Sequence, residues 1–283
     1  MSRFAYVNGQ YLPHRDAGVH IEDRGYQFAD GVYEVIAVAG GRLLDEEGHL
    51  DRLDRSLGAL SIAAPMSRAA LRHVLRETIR RNGVGDGIVY LQITRGVAKR
   101  DHPFPKYAEP CLVITARRNK GPSAAAMEEG VGVISQPDIR WERCDIKSIS
   151  LLPNVLAKQA AREAGAYEAW LVEQDGTVSE GSSTNAWIVT KDGTLVTHPA
   201  DNAVLNGITR LGVLQAAKKA GIKVAERRFT LAEATAAKEA FLTSTTSLVL
   251  PVVRIDGQPI GNGHPGEVTR TVRQAYLAGL GLK

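Results

Sequence analysis

Cysteine is almost absent: the chain has two, Cys111 and Cys144, far apart and with no partner at metal-ligand spacing. That excludes a disulfide framework, gives no sign of a zinc site and suits a reducing cytoplasm. Long apolar runs are missing too. No stretch approaches the length that spans a bilayer, and the opening Met1 to Gly9 has no hydrophobic signal core, so the protein is expected to stay where it is made, in the cytoplasm. Charge of one sign is scarce: 35 Lys and Arg stand against 31 Asp and Glu, and the two signs are interspersed. Neither a nucleic-acid stripe nor a polybasic membrane patch is present. Fixed-period repeats and low-complexity tracts are also lacking. What is there is a chain of 283 residues, 44% hydrophobic, longer than one usual domain, so two domains with a sizeable core are expected.

In chain order, Phe4 to Leu12 alternates around Asn8-Gly9, a type I′ turn signal, and predicts a hairpin. A strand over Val32 to Val38 turns at Gly40-Gly41. Leu50, Leu53, Leu57 and Leu60 mark an amphipathic helix, with Arg52 and Arg55 off its stripe. Ser67 caps a second helix carrying Leu71, Val74, Leu75 and Ile79, which Asn82-Gly83 stops. Strands at Ile88 to Thr94 and Cys111 to Ala116 flank the polar loop Arg95 to Pro110, which makes this half α+β. The polar, Gly- and Pro-broken stretch after Arg117 is the best linker, so the expected division is 1–117, a linker at 118–123, and 124–283. The second part reads as strand-rich: strands near Val131 to Ser135 and Asp145 to Ser150, a helix from Val155, a meander with turns at Asp175-Gly176 and Asp192-Gly193, and helices at Ile208, Leu231 and Glu267 with a hairpin at Asp256-Gly257.

Two motif matches are weak. Gly261, Gly263 and Gly266 spell GxGxxG, but too little chain follows for a strand with a ribose-binding acid. Gly181 to Asn185 nearly spells a nucleophile elbow around Ser183, with His198 and His264 downstream, yet Asn185 replaces the second glycine and Ala186 to Thr190 reads as strand where a helix is required. Lys147 lies in Trp141 to Ser150, where alternation sends Asp145, Lys147 and Ile149 to one face and Cys144, Ile146 and Ser148 to the other. A lysine there is either on the wet side of a half-buried strand, or a shielded amine able to form a Schiff base with an aldehyde. Asn206 to Arg210 offers amides at a helix start for a phosphate, and Thr243 to Ser247 a second cluster of hydroxyls and amides; each is equally a capped turn. Glu180, between two strands, is either a turn acid in water or a carboxylate that keeps a pyridine nitrogen protonated. Arg100 and His102, two apart in a proline-stiffened loop, suit a substrate carboxylate or simply a solvated loop.

The combination resembles the fold-type IV pyridoxal phosphate aminotransferases, most closely the bacterial D-amino acid aminotransferases. The matching stretches, spread in order over nearly the whole chain, are Glu22 to Val35, His49 to Leu53, Thr94 to Gly96, Asp138 to Trp141 with Arg143 to Ser148, Glu180 to Ser183, Leu205 with Gly207 to Arg210, and Thr243 to Ser247. The resemblance implies a small N-terminal α/β domain and a larger strand-rich pseudo-barrel domain that binds pyridoxal 5'-phosphate. It makes Lys147 the Schiff-base residue that then moves the α-proton, and Glu180 the partner of the pyridine nitrogen. It gives Arg52, Ile208, Thr209, Ser244 and Thr245 to the phosphate, packs Leu205 on the ring, and lines the site with Ser182 and Ser183. Tyr33, Val35, Arg100 and His102 become substrate-binding, the last two delivered from a second subunit, so a homodimer is implied. The implied reaction is transamination between D-amino acids and 2-oxo acids, of the type D-alanine plus 2-oxoglutarate to pyruvate plus D-glutamate. The branched-chain L-aminotransferases and (R)-amine transaminases share the lysine, glutamate and phosphate groups and stand as alternatives, and aminodeoxychorismate lyase shares the fold. Departures from the pattern are Thr184 where a serine is expected, and Lys99 and Asp101 around Arg100, which Asp101 could pair.

Overall fold

The computed structural model describes residues 3–282, and these divide into two compact units, residues up to 120 with 146–150, and residues 121–145 with those from 151 onward.

The first unit contains β1 (Phe4–Val7), β2 (Gln10–Pro13), α1 (Arg24–Phe28), β3 (Gly31–Ala39), β4 (Arg42–Leu43), α2 (Glu46–Ala59), α3 (Arg68–Arg81), β5 (Gly87–Thr94) and β6 (Cys111–Arg118). The strands form one antiparallel sheet in the order β2-β1-β6-β5-β3-β4. The turns are where glycine and asparagine allow them: Asn8 and Gly9 have φ of 43° and 94°, and Gly40 and Gly41 of 56° and 77°. The two helices cover one face. Leu50, Leu53 and Leu57 of α2 and Leu71, Val74, Leu75 and Ile79 of α3 join Val32, Ile36, Leu91, Ile93 and Ile114 in one core cluster, each large side chain contributing about 2 kcal/mol of burial. Ser67 caps α3 by accepting from Ala70 N at 3.3 Å.

Glu34 of β3 points into that apolar face and is fully buried. An isolated carboxylate there is untenable. Arg52 answers it with Nε and Nη2, each 2.7 Å from a carboxylate oxygen, and His49 Nδ1 lies 2.8 Å from Oε2. Arg52 is thus buried although it lies off the leucine stripe, because the ion pair turns it inward. Burial pushes the Glu34 carboxyl up, but the charge and bonds of Arg52 and His49 outweigh it and hold it at about 2. Burial pushes His49 down, against the pull of Glu34.

Residues 145–150, expected as a strand, are not one: only an isolated bridge, Val32 to Ser148, is formed. Three further bonds fasten the segment, Tyr33 N to Lys147 O and Ile149 N to Gly31 O at 3.0 Å, and Lys147 N to Ser56 Oγ at 3.3 Å. The expected alternation survives, with Cys144, Ile146 and Ser148 buried and Asp145, Lys147 and Ile149 half-buried. Gly31 permits the approach, since a Cβ there would lie 2.7 Å from Ile93 O and 3.1 Å from Ile149 Cδ1.

The second unit runs α4 (Ala124–Glu129), β7 (Val131–Pro137), α5 (Leu152–Glu163), β8 (Glu168–Val172), β9 (Val178–Gly181), β10 (Asn185–Val189), β11 (Leu195–Thr197), α6 (Ile208–Lys219), β12 (Val224–Glu226), α7 (Leu231–Thr235), β13 (Glu239–Ser244), β14 (Leu248–Ile255), β15 (Gln258–Pro259) and α8 (Glu267–Gly279). Its sheet has the order β12-β11-β10-β13-β14-β7-β8-β9, with β15 on β14. β9 ends this path, yet residues 182–184 alone join it to β10, and Gly181 N bonds Thr184 O at 2.6 Å. The sheet therefore curls, and the strand-rich unit is an open half-barrel. One face packs Trp170, Ile188, Phe229 and Leu242. The other packs Trp187 against Phe241, rings stacked 5.3 Å apart, under α6 and α8.

Glu34→Gln is expected to lower the unfolding free energy by about 3 kcal/mol in urea titration at neutral pH, because Arg52 loses its counter-charge. The ordinary value of 4.5 for Glu34 falls to about 2 on folding. Its stabilisation is complete above 4.5 and drains away as pH falls from there towards 2. Wild type should lose stability over that window and the variant much less.

Candidate functional site

In the first unit, Lys147 presents its side chain to β3. Its Nζ stands 4.1 Å from the centroid of the Tyr33 ring and makes no ion pair among the described residues. Strand alternation puts Val35 on the same half-buried face as Tyr33. Arg52 shares this unit with its Nε and Nη2 edge committed to Glu34. Arg100 and His102 lie in a bent rather than an extended loop, and both side chains are exposed. They nevertheless meet one ring: the Arg100 guanidinium is 4.7 Å from the Phe28 centroid and the His102 ring 5.5 Å from it. Arg24 braces the loop, donating to Asp101 O at 2.6 Å and His102 O at 3.2 Å while its Nε bonds Asp30 at 2.7 Å. Asp101 accepts from His102 N at 2.9 Å, and the pairing with Arg100 that the sequence allowed is not made.

In the second unit, Glu180 lies within β9 and is buried, not a turn acid in water. Arg140 Nη1 reaches its Oε1 at 2.5 Å, Asn185 Nδ2 its Oε2 at 2.9 Å, and Leu205 N lies 3.2 Å from both oxygens. Arg140 is itself held by two bonds to Asp138, at 2.9 and 2.7 Å, and one to Ala203 O at 3.1 Å. Burial leaves the Glu180 carboxyl above its ordinary value, against the pull of Arg140 and of the Leu205 amide. Each of its hydrogen-bond partners is a donor.

Helix α6 begins at Ile208 and Thr209, both buried, after Gly207, and no side chain caps it. A Cβ on Gly207 would lie 2.1 Å from Asn185 Oδ1, so the glycine lets the helix start reach the amide that holds Glu180. Ser244 and Thr245 are half-buried where β13 ends, and Ser244 Oγ accepts from Ser247 N at 3.0 Å. Ser182 and Ser183 hydroxyls both donate to Glu168, that of Ser183 at 2.8 Å. Ser183 thus bonds a carboxylate rather than a histidine, and the strand β10 follows it, which removes the hydrolase reading.

Sequence reasoning missed Glu34 and His49 behind Arg52, Asn185 behind Glu180, and Glu168 behind the serines. Glu34, Asn185 and Glu168 come from elements other than those of the residues they hold, which no local spacing signals; His49 shares α2 with Arg52, three residues before it. Arg140→Met should push the Glu180 carboxyl further up, since the main charge opposing burial is then gone; its carboxyl stretch, followed by infrared titration, should show the protonated acid at a higher pH than in the wild type.

The sequence pattern of the amino-transferase class IV family matches residues 31–255. The D-alanine aminotransferase of Bacillus licheniformis is 43% identical over 95% of this chain and 94% of its own, and that of Listeria monocytogenes (serotype 1/2a, strain 10403S) 41% identical over 96% and 94%. Among solved structures, the branched-chain amino acid aminotransferase of Escherichia coli superposes with a TM-score of 0.91 at 25% identity, covering 99% of this chain and 95% of that one. The branched-chain enzyme of T.th., solved with pyridoxamine 5'-phosphate, gives 0.90 at 27%, covering 100% and 96%. A pattern matched from β3 to the end of β14, and relatives above 40% identity over nearly the full length, make this chain a member of the class IV aminotransferases.

Proposed function

We propose that the protein is a pyridoxal 5'-phosphate-dependent D-amino acid aminotransferase, moving the amino group of D-alanine to a 2-oxo acid such as 2-oxoglutarate. The observation that carries this is the Lys147 amine, resting on Tyr33 with no acid paired to it among the described residues. Relatives named D-alanine aminotransferase, at 43% and 41% identity, support the D-amino acid reading.

The residues fit the cofactor by their donor chemistry. A primary amine without a carboxylate partner suits its aldehyde, a carboxylate surrounded only by donors suits a protonated ring nitrogen, and an uncapped helix start with hydroxyls suits a phosphate. When bound, the cofactor supplies an aldehyde for amine exchange and a ring that draws electrons from the substrate Cα. Lys147 Nζ would take the proton from that Cα, a primary amine with no acid paired to it among the described residues serving as the base. Glu180 Oε atoms hold a proton at the ring nitrogen, and Arg140, Asn185 and Leu205 N keep the carboxylate aimed. Arg52, the Ile208 and Thr209 amides, and Ser244 and Thr245 would hold the phosphate. Leu205 would lie against the ring, and Ser182 and Ser183, tied to Glu168, would line the site. Tyr33 and Val35 take the substrate, with Arg100 and His102 of a second subunit trapping its α-carboxylate.

A homodimer is supported by α5, whose Leu152, Val155 and Leu156 stand exposed in a row that a second copy would cover. A cytoplasmic setting suits two buried, unpaired thiols, Cys111 and Cys144. Among the described residues no helix is long and apolar enough to cross a membrane.

The test is the visible spectrum of the purified holoenzyme. The cofactor band should give way to the amino form with D-alanine and persist with L-alanine. Conversion by L-alanine alone moves the enzyme to the L-aminotransferases, and conversion by neither rejects alanine as donor. Lys147→Ala should abolish turnover and the visible band of the wild type, while Arg100→Ala should keep the band and lose about 2 kcal/mol of kcat/KM, the scale of one charge-assisted bond.

A further inference from the structure

Tyr33 and Gln92 are direct partners across β3 and β5, as are Val35 and Tyr90. All four are half-buried on the face opposite the one that packs Val32, Ile36, Leu91 and Ile93 into the core. The Tyr33 and Tyr90 rings lie 5.8 Å apart at 30°, and Lys147 Nζ stands over Tyr33. Tyr90 hydroxyl donates to Gln92 Oε1 at 2.6 Å. Burial, with the neighbouring Tyr33, pushes Tyr90 to about 12, so the phenol keeps the proton it gives to this bond throughout the neutral range. The bond uses the acceptor of the amide and fixes its plane. Gln92 Nε2 remains, two N–H donors with no acceptor among the described residues, on the face that carries Tyr33.

An amide whose acceptor is already used can serve a ligand only as a donor. We propose that Gln92, held by Tyr90, is a specificity-determining residue: its Nε2 donates to an oxygen-bearing side chain of the substrate, a second carboxylate above all, and so favours dicarboxylic amino and 2-oxo acids over those with a bare methyl. This deepens the aminotransferase reading and rests on it. Tyr90 is a positioning residue that acts through Gln92.

The experiment compares kcat/KM of the holoenzyme for 2-oxoglutarate and for pyruvate as amino acceptors. Gln92→Leu should lower the ratio of the first to the second by about tenfold, carried by KM, the size of one hydrogen bond to a charged group. Gln92→Glu keeps the volume and the Tyr90 bond but sets one carboxylate against another, so the ratio should fall further. Tyr90→Phe should lower it in the same direction and less. Equal loss for both acceptors in the two Gln92 variants, or no change in either, overturns the inference while transamination itself stands. A wild-type enzyme that turns over neither acceptor fails before any variant is made, and overturns both readings.

Discussion

A carboxylate shut away from water needs an answering group within hydrogen-bond reach, and four of them set the terms of this structure. Glu34, Glu168, Glu180 and Glu239 are all buried. Glu34 is met by a guanidinium and an imidazole, Glu180 by a guanidinium, an amide and a backbone N–H. Glu168 takes two serine hydroxyls and its neighbour's amide, and Glu239 receives the first amides of α8 and the Thr269 hydroxyl. Each answer comes mostly from a separate element, so satisfying the charge also fixes where that element lies. In the first unit this turns α2 so that a polar edge faces the sheet beside its leucines. In the second it ties the start of α6, through Asn185 and Gly207, to the acid of β9.

What the sequence disclosed was local. Asn8-Gly9 announced a hairpin because only certain residues accept those dihedrals, Ser67 a helix start because its hydroxyl reaches back a single turn, and the leucines of α2 a buried stripe because their spacing matches a helical period. What it withheld was long-range. Arg52 turns inward for a glutamate on another element, and Glu180 is strand rather than turn because β9 pairs β8. Lys147 sits in a segment with the burial rhythm of a strand and only one bridge to β3. Residue type alone left Lys147 and Glu180 with two readings each; the ordered run of matching stretches singled them out.

The fold itself carries little about handedness of substrate. Backbones that superpose at TM-scores of 0.90 and 0.91 belong to branched-chain amino acid enzymes at 27% and 25% identity, while relatives above 40% identity are named for D-alanine. One backbone thus serves enzymes named for different substrates, so the difference between them lies in side chains and not in the fold. Tyr33, Val35, Tyr90 and Gln92 share one half-buried sheet face, and Arg24 makes the loop carrying Arg100 and His102 less free than its exposure suggests.

Residues 146–150 belong to the first unit although the chain on either side belongs to the second. The polypeptide therefore changes unit at 120/121, at 145/146 and again at 150/151. No single break releases either unit whole. A first unit ended at 120 would lack the segment that bonds Gly31 and Tyr33 and would carry no lysine on Tyr33; a second unit begun at 121 would carry that segment with nothing to hold it. Neither unit is one continuous stretch of chain, and the lysine that rests on Tyr33 is a stitch the first unit receives from within the sequence of the second.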